Sequence, residues 1–404
     1  FNKYLKKLMR KKNSNFLKNK LFILPGLTFL VLSFGYLAWN KTPKIQITAL
    51  SGSRIEQKRK VEVFPKQYSD RNITSNAKIS DGRFKNITFF DKGNLLSNAI
   101  SSLTSRGQIL TDGSLENGTW LWTPIKYLTP DYVEKIVSGA KKNGINVIYL
   151  SIDSYLDIFA MPEGEEKEMA KKEFDENIKK FISTANKVGI RVDAEAGWQN
   201  WAEDGHLYKP GAILDYVISF NKKSEYKFRG FQFDVEVYLL PEYKEDKNLV
   251  LSNFLNLVNE TVTKLNSTDL HFSVVIPDFY DDNTRETNVI KYKGKNKYTL
   301  DHLLSILERR RGSKIIVMSY RNTSQGEDGS IKISEDEVYT ANNYSTKVVI
   351  AQETGDFPPS YITFFNTSKQ KYDKEVSNLK KAFENEPSFG GIAVHYINSF
   401  LELK

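Results

Sequence analysis

The sequence contains no cysteine, which excludes disulfides, thiolate metal sites and a cysteine nucleophile. An exported domain without disulfides suits a bacterial surface better than a eukaryotic secretory pathway. No Gly-rich phosphate loop follows an early strand, and no ligand spacing such as His-x-x-x-His or Asp-x-Asp-x-Asp-Gly occurs. Neither a cofactor nor a metal is therefore expected. Acidic residues are missing from positions 1–20, where eight Lys and Arg stand (Lys3, Lys6, Lys7, Arg10, Lys11, Lys12, Lys18 and Lys20). The formal charge of +9 is a property of that arm, because the remainder holds 50 basic against 49 acidic residues. A nearly neutral main domain argues against nucleic acid as a partner.

Charge of either sign is absent from residues 21–39, LFILPGLTFLVLSFGYLAW. At about 1.5 Å per residue a helix of this length spans most of a hydrocarbon core about 30 Å thick. Tyr36 and Trp39 suit an interfacial belt, and the basic arm ahead of the run holds the N-terminus in the cytoplasm. A cleaved signal peptide, the competing reading, has a shorter apolar run and a small-x-small cleavage site. The expected organisation is a cytoplasmic arm (1–20), a transmembrane signal anchor (21–39), a stalk with a small strand-rich preamble (40–118) and an extracytoplasmic main domain (119–404).

What is present is enough for a large core: 404 residues, 40% hydrophobic and 13% aromatic. From residue 119 onward, strand candidates alternate with amphipathic helical stretches. They are TWLWTP (119–124), NVIYLSID (146–153), RVDAEAGW (191–198), GFQFDVEVYLL (230–240), HFSVVIPDFY (271–280), KIIVMSYR (314–321), KVVIAQETGD (347–356) and GGIAVHYINSF (390–400). Eight βα repeats over about 285 residues predict an α/β fold of the (β/α)8 TIM-barrel type. An open doubly wound sheet would carry a Gly-rich loop after an early strand, and none is present.

In such a barrel the site lies at the C-terminal ends of the strands. The fourth strand alternates Phe231, Phe233, Val235 and Val237 with Gln232, Asp234 and Glu236, so one of its faces is acidic. Carboxylates inside a fold are costly unless they are paired or used. Around them the other strand ends offer Trp122, Asp153, Glu195, Trp198, Tyr238, Asp278, Tyr280, Tyr320, Glu353, His395 and Tyr396. A ring of carboxylates and aromatic faces matches a carbohydrate ligand, whose apolar ring faces stack on aromatics while its hydroxyls bind carboxylates.

The segment Arg229-Gly230-Phe231-Gln232-Phe233-Asp234-Val235-Glu236 resembles the D-G-x-D-x-D-x-E pattern that ends the fourth strand of the family 18 glycoside hydrolases, the chitinase and endo-N-acetylglucosaminidase group. Met318-Ser319-Tyr320 resembles the Met-x-Tyr of that family's sixth strand, and Gly390-Gly391 the Gly-Gly that begins its eighth. The glycine, the last aspartate and the glutamate match; Arg229 and Gln232 replace the first two aspartates, and His395 or Tyr396 stands where the family has tryptophan. The resemblance implies a substrate carrying an N-acetyl group that itself attacks. Glu236 would then protonate the leaving oxygen, Asp234 hold the acetamido group and Tyr320 bond its carbonyl oxygen. The remaining candidates, Trp122, Asp153, Glu195, Trp198, Gln232, Tyr238, Asp278, Tyr280, His395 and Tyr396, would bind a polysaccharide or oligosaccharide. Two other readings stand beside this one. Glu236 and Glu353 could act as an acid/nucleophile pair, as in many retaining glycosidases on this barrel, although Val235 occupies a position where that group has Asn. Alternatively the barrel could bind glycan without cleaving it.

Overall fold

In the computed structural model, residues 115–281 and 289–404 are described. The expected arm, anchor and nearly all of the preamble lie outside them. No helix among the described residues is long and apolar enough to cross a membrane.

Eight parallel strands close into a barrel in chain order: β1 (Glu116–Leu121), β2 (Val147–Ser151), β3 (Arg191–Ala196), β4 (Gly230–Phe233), β5 (His271–Pro277), β6 (Lys314–Met318), β7 (Lys347–Glu353) and β8 (Phe389–His395). A principal helix follows each strand: α1 (Pro130–Lys142), α2 (Glu165–Lys187), α3 (Tyr208–Lys223), α4 (Lys247–Leu265), α5 (Thr299–Leu307), α6 (Ser330–Ala341), α7 (Lys369–Phe383) and the short α8 (Ile397–Phe400). Helices α1, α4 and α7 start at a side-chain cap. Thr129 accepts from the Tyr132 N–H ahead of Pro130, Asp246 from Leu249 and Ser368 from Lys371. Helix α2 buries Phe174, Ile178, Phe181, Ile182 and Ala185, the spacing of one apolar stripe laid on the sheet.

Period-two alternation divides the strand residues between two layers. Outward residues such as Phe231, Phe233, Phe272 and Ile350 join the helix-packed core. Inward ones fill the barrel with Trp120, Val147, Tyr149, Val275, Ile316, Val349, Ala351 and Ala393. The interior is therefore packed, not a pore, and only its C-terminal rim is open to chemistry.

Three expectations need correction. Strand β1 starts at Glu116, three residues before the expected strand 119–124, because Glu116 to Thr119 pair with Gly391 to Val394 of β8. Strand β4 ends at Phe233 rather than running to residue 240; Val237–Leu239 form a turn of 3-10 helix. The chain leaves the sheet here because the Asp234 backbone crosses the exit of β3, where a Cβ on Gly197 would overlap the Asp234 carbonyl. Only glycine permits that approach. Finally, an antiparallel hairpin of Val289–Tyr292 and Lys295–Tyr298, unexpected from the sequence, precedes α5. Its two-residue turn places Lys293 and Gly294 at positive φ, the conformation that fits the right-handed twist of a hairpin.

The N-terminal end of the barrel is closed by a buried charge network. The Arg229 guanidinium donates to Asp193 Oδ1 (2.7 Å) and Glu116 Oε2 (2.9 Å), Lys314 also donates to Glu116, and the Tyr149 hydroxyl donates to Glu116. Despite burial, Arg229 and Lys314 hold the Glu116 carboxyl well below the usual carboxylate range, and, against burial, Arg229 lowers the pKa of Asp193. Arg229 therefore sits at the end of the barrel opposite the predicted site. Its departure from the family pattern serves stability and leaves the C-terminal rim untouched.

Candidate active site

Beyond the end of β4, Asp234 is buried and Glu236 half-buried, and the Tyr238 hydroxyl donates to Glu236 Oε2. Burial first, then the neighbouring Glu236 and Asp234 carboxylates, raise the Tyr238 pKa, so the phenol stays a donor. Tyr320, just past β6, is raised well above the ordinary tyrosine value by burial and then by Glu353, Asp234 and Glu236. Its hydroxyl thus lies in the field of carboxylates from two strand ends. Four residues named from the sequence, Asp234, Glu236, Tyr320 and Glu353, are brought together at the C-terminal mouth.

Glu353, the last residue of β7, is buried and fully engaged. Oε1 accepts the N–H groups of Thr354 (2.8 Å) and Gly355 (2.5 Å), and Oε2 meets His395 Nδ1 at 2.7 Å. The Trp122 indole N–H donates to His395 Nε2 at 3.1 Å. Because Nε2 is an acceptor, the neutral ring carries its proton on Nδ1 and donates it to Glu353. Trp122, His395 and Glu353 thus form one hydrogen-bonded chain across β1, β8 and β7. Tyr320 lies against the imidazole (centroids 6.0 Å apart, 28° between planes), and Tyr396 meets it edge-on. His395 orients its neighbours; that role follows from the Glu353 contact, which spacing along the chain could not reveal.

Gln232 and Glu195 face inward below the rim, both fully buried. Gln232 accepts from the Trp120 indole N–H (2.7 Å) and donates to Ser273 Oγ (3.3 Å). Neither presents surface at the mouth, which sets them apart from the other residues expected to touch a ligand. Tyr280 is likewise 1% exposed and packs on Phe254 and Phe279, because its side chain turns into the helical layer. Burial, then Tyr243 and last Glu236, raise the pKa of its hydroxyl. Arg229 pairs with Glu116 and Asp193, and Arg321 with Asp328.

Asp153 and Trp198 lie to one side. Asp153 Oδ1 accepts the Gly197 N–H (3.2 Å) at the exit of β2. Both residues line a cavity of about 270 Å³ that opens between the ends of β1, β2 and β3 and helix α2, with Trp122 as a shared wall. A volume near the lower limit of roughly 300 Å³ for small-molecule pockets suits one sugar ring, not two.

Asp278 lies at the other side of the mouth, within the field of Glu337 on α6. Glu337 occupies the buried stripe of that helix with Ser330, Ser334, Val338 and Ala341, and neither of its carboxyl oxygens has a hydrogen-bond partner. Burial, then Asp281 and Asp278, raise its pKa well above the usual value. The folded state therefore keeps a proton that the unfolded chain releases. That contribution to stability is fully present below the ordinary carboxylate range and is lost as pH rises towards the elevated folded value. Glu337→Gln should accordingly be more stable than the wild type by about 1–3 kcal/mol at pH 8. The difference should vanish near pH 4 in urea titrations, and a gain equal at both pH values would show that the carboxyl is not held protonated.

No protein-family model matches the sequence, and no curated protein does. Among solved structures, the chain is similar to the family GH18 chitinase from Cycas revoluta in complex with allosamidin, at 11% identity over 72% of this chain and 96% of that one, with TM-score 0.46. It is also similar to the hyperthermostable endo-1,4-beta-D-mannanase from Thermotoga petrophila RKU-1 (12% identity, 70% and 87% covered, TM-score 0.46). A third is the endo-1,4-beta-mannanase from Rhizomucor miehei (11%, 69% and 85% covered, TM-score 0.45). At this distance the likeness is one of backbone, and chemistry is argued from the residues of the site itself.

Proposed function

We propose that the protein is a glycoside hydrolase that cleaves a polysaccharide containing N-acetylhexosamine, with Glu236 as the general acid. The observation that carries this reading is the meeting of Glu236, Asp234 and Tyr320 at the barrel mouth, where the tyrosine hydroxyl stays protonated beside the carboxylates. In the first step the substrate's acetamido oxygen attacks C1 as the glycosidic bond breaks. Glu236 gives its proton to the departing oxygen, Asp234 accepts a hydrogen bond from the acetamido N–H, and Tyr320 donates to its oxygen. In the second step Glu236 takes a proton from water as that water opens the cyclic intermediate, returning the original anomeric configuration. Gln232 stands where a second aspartate would share charge with Asp234. The Trp120 and Ser273 hydrogen bonds hold it as a neutral support.

An acid/nucleophile pair of Glu236 and Glu353 ranks second. Both Glu353 oxygens are already spent on Thr354, Gly355 and His395, which suits an anchored anion better than an attacking one. The eight basic residues ahead of the uncharged run 21–39 support a single-pass anchor with the barrel outside the cytoplasm, close to a cell-surface or exported polymer.

Reducing-end release from N-acetylated and non-acetylated polysaccharides, with the anomeric form of the product followed by NMR, tests the reading. Cleavage confined to the N-acetylated polymers, with retention, is expected, and Glu353→Gln should keep measurable activity. If Glu353→Gln alone abolishes turnover, the acid/nucleophile pair replaces this mechanism. If the wild type binds glycan and never cleaves it, the barrel is a binding protein.

A further inference from the structure

The cavity beside the mouth carries two polar atoms that the protein leaves unanswered. The indole Nε1–H of Trp201, a residue 1% exposed, has no acceptor, and the buried Oγ of Ser154 has no hydrogen-bond partner. Both residues line the cavity. A buried donor without an acceptor costs roughly 1–3 kcal/mol, and most buried polar groups avoid that cost by finding a partner. The rest of the wall is largely apolar, formed by Trp122, Trp198, Ile158 and Phe174. Lys126 stands at its edge with the exposed carboxylates of Asp157 and Glu173, a local excess of negative charge that disfavours an acidic sugar.

A ligand that fits must therefore bring a hydrogen-bond acceptor and a small apolar group together, without negative charge. We propose that this cavity is a subsite for one N-acylated hexosamine residue of the polymer. The acyl carbonyl accepts from Trp201 Nε1–H and Ser154 Oγ–H, and the acyl methyl lies against Ile158 and Phe174. The subsite adjoins the reaction centre because Trp122 serves both: it lines the cavity and donates to His395. It is separate from the acetamido contacts assigned to Asp234 and Tyr320, so the polymer is read at two rings. This inference rests on the proposed carbohydrate function, but its test does not depend on turnover.

The test uses the full chain carrying Glu236→Gln, labelled with 15N in its tryptophans. Methyl glycosides of N-acetylglucosamine, N-acetylgalactosamine, glucosamine and glucose serve as one-ring, linkage-independent probes. The Trp201 indole resonance, assigned as the one missing in Trp201→Phe, should shift with the two N-acetylated glycosides and stay in place with the others. Ser154→Ala, a small change at a half-buried position, should weaken the N-acetylated ligands about threefold to tenfold relative to the same protein with Ser154 intact. If the Trp201 resonance ignores the N-acetylated glycosides, or follows glucoside equally, the subsite is wrong. The same holds if Ser154→Ala binds them undiminished. Selective binding by a protein that never hydrolyses polymer would instead uphold the subsite and overturn the hydrolase.

Discussion

Glu236→Gln should lower kcat on polysaccharide by about 10²–10⁴-fold while changing KM little, because the lost proton is needed only as the glycosidic bond breaks. Glutamine keeps the shape of the side chain and an oxygen that can accept from the Tyr238 hydroxyl, so the mouth retains its form. The amide cannot release a proton to the departing oxygen. An aryl glycoside whose leaving group departs as a stable anion needs no such help, and on it the deficit should shrink by at least tenfold. Initial rates of wild type and variant on the two substrate kinds measure this directly. An equal deficit on both would mean that Glu236 does not protonate the leaving group.

Arg229→Met should destabilise the barrel by about 3–5 kcal/mol, the range seen when one partner of a buried ion pair is removed. The arginine answers Asp193 and Glu116 together, and Lys314 shares the same Glu116 oxygen, Oε2. Without it Asp193 is left as a buried carboxylate with no adjacent guanidinium. Protonation would relieve that state, so the penalty should be largest near neutrality and smaller at about pH 4. Urea unfolding of both proteins at the two pH values reads the effect. A loss that does not vary with pH would point to lost packing instead. Arg229→Met should leave the pH profile of cleavage unchanged, since the network lies at the end of the barrel remote from Glu236.

The eight-fold alternation was legible because each strand is a short apolar run and each helix carries a 3.6-residue stripe, signals that survive without any tertiary information. Where strands end was less visible. The exit of β4 after Phe233 depends on Gly197, a residue of another strand end, and no local pattern in residues 230–240 encodes it. The hairpin did have a signal, Lys293-Gly294 between alternating residues, but its buried Ile290 and Tyr292 are outnumbered by lysines. Within the site, Asp234, Glu236, Tyr320 and Glu353 could be named because every barrel directs its strand ends to one rim. The sequence could not sort which inward residues reach that rim and which stop below it. Gln232 lies two residues from Asp234, yet one is capped by Trp120 and the other borders the mouth. Arg229 looked like damage to a motif and proved to belong to a different end of the molecule. The open donor of Trp201 had no sequence signal, since an unmet hydrogen bond is a property of surroundings.

The chain from Trp122 through His395 to Glu353 joins residues 273 positions apart in the sequence, and the Glu116–Arg229 contact at the opposite end spans 113. Both depend on β1, the first strand of the barrel to be synthesised, and the upper one also needs β8, the last of the barrel. Closing so long a loop is entropically slow compared with forming any single βα unit. A chain short of β8 lacks the seam, and Glu353 then keeps only its Thr354 and Gly355 contacts. The order of the strands along the chain thus makes the seam a late property of the barrel, gained only once β8 has joined β1.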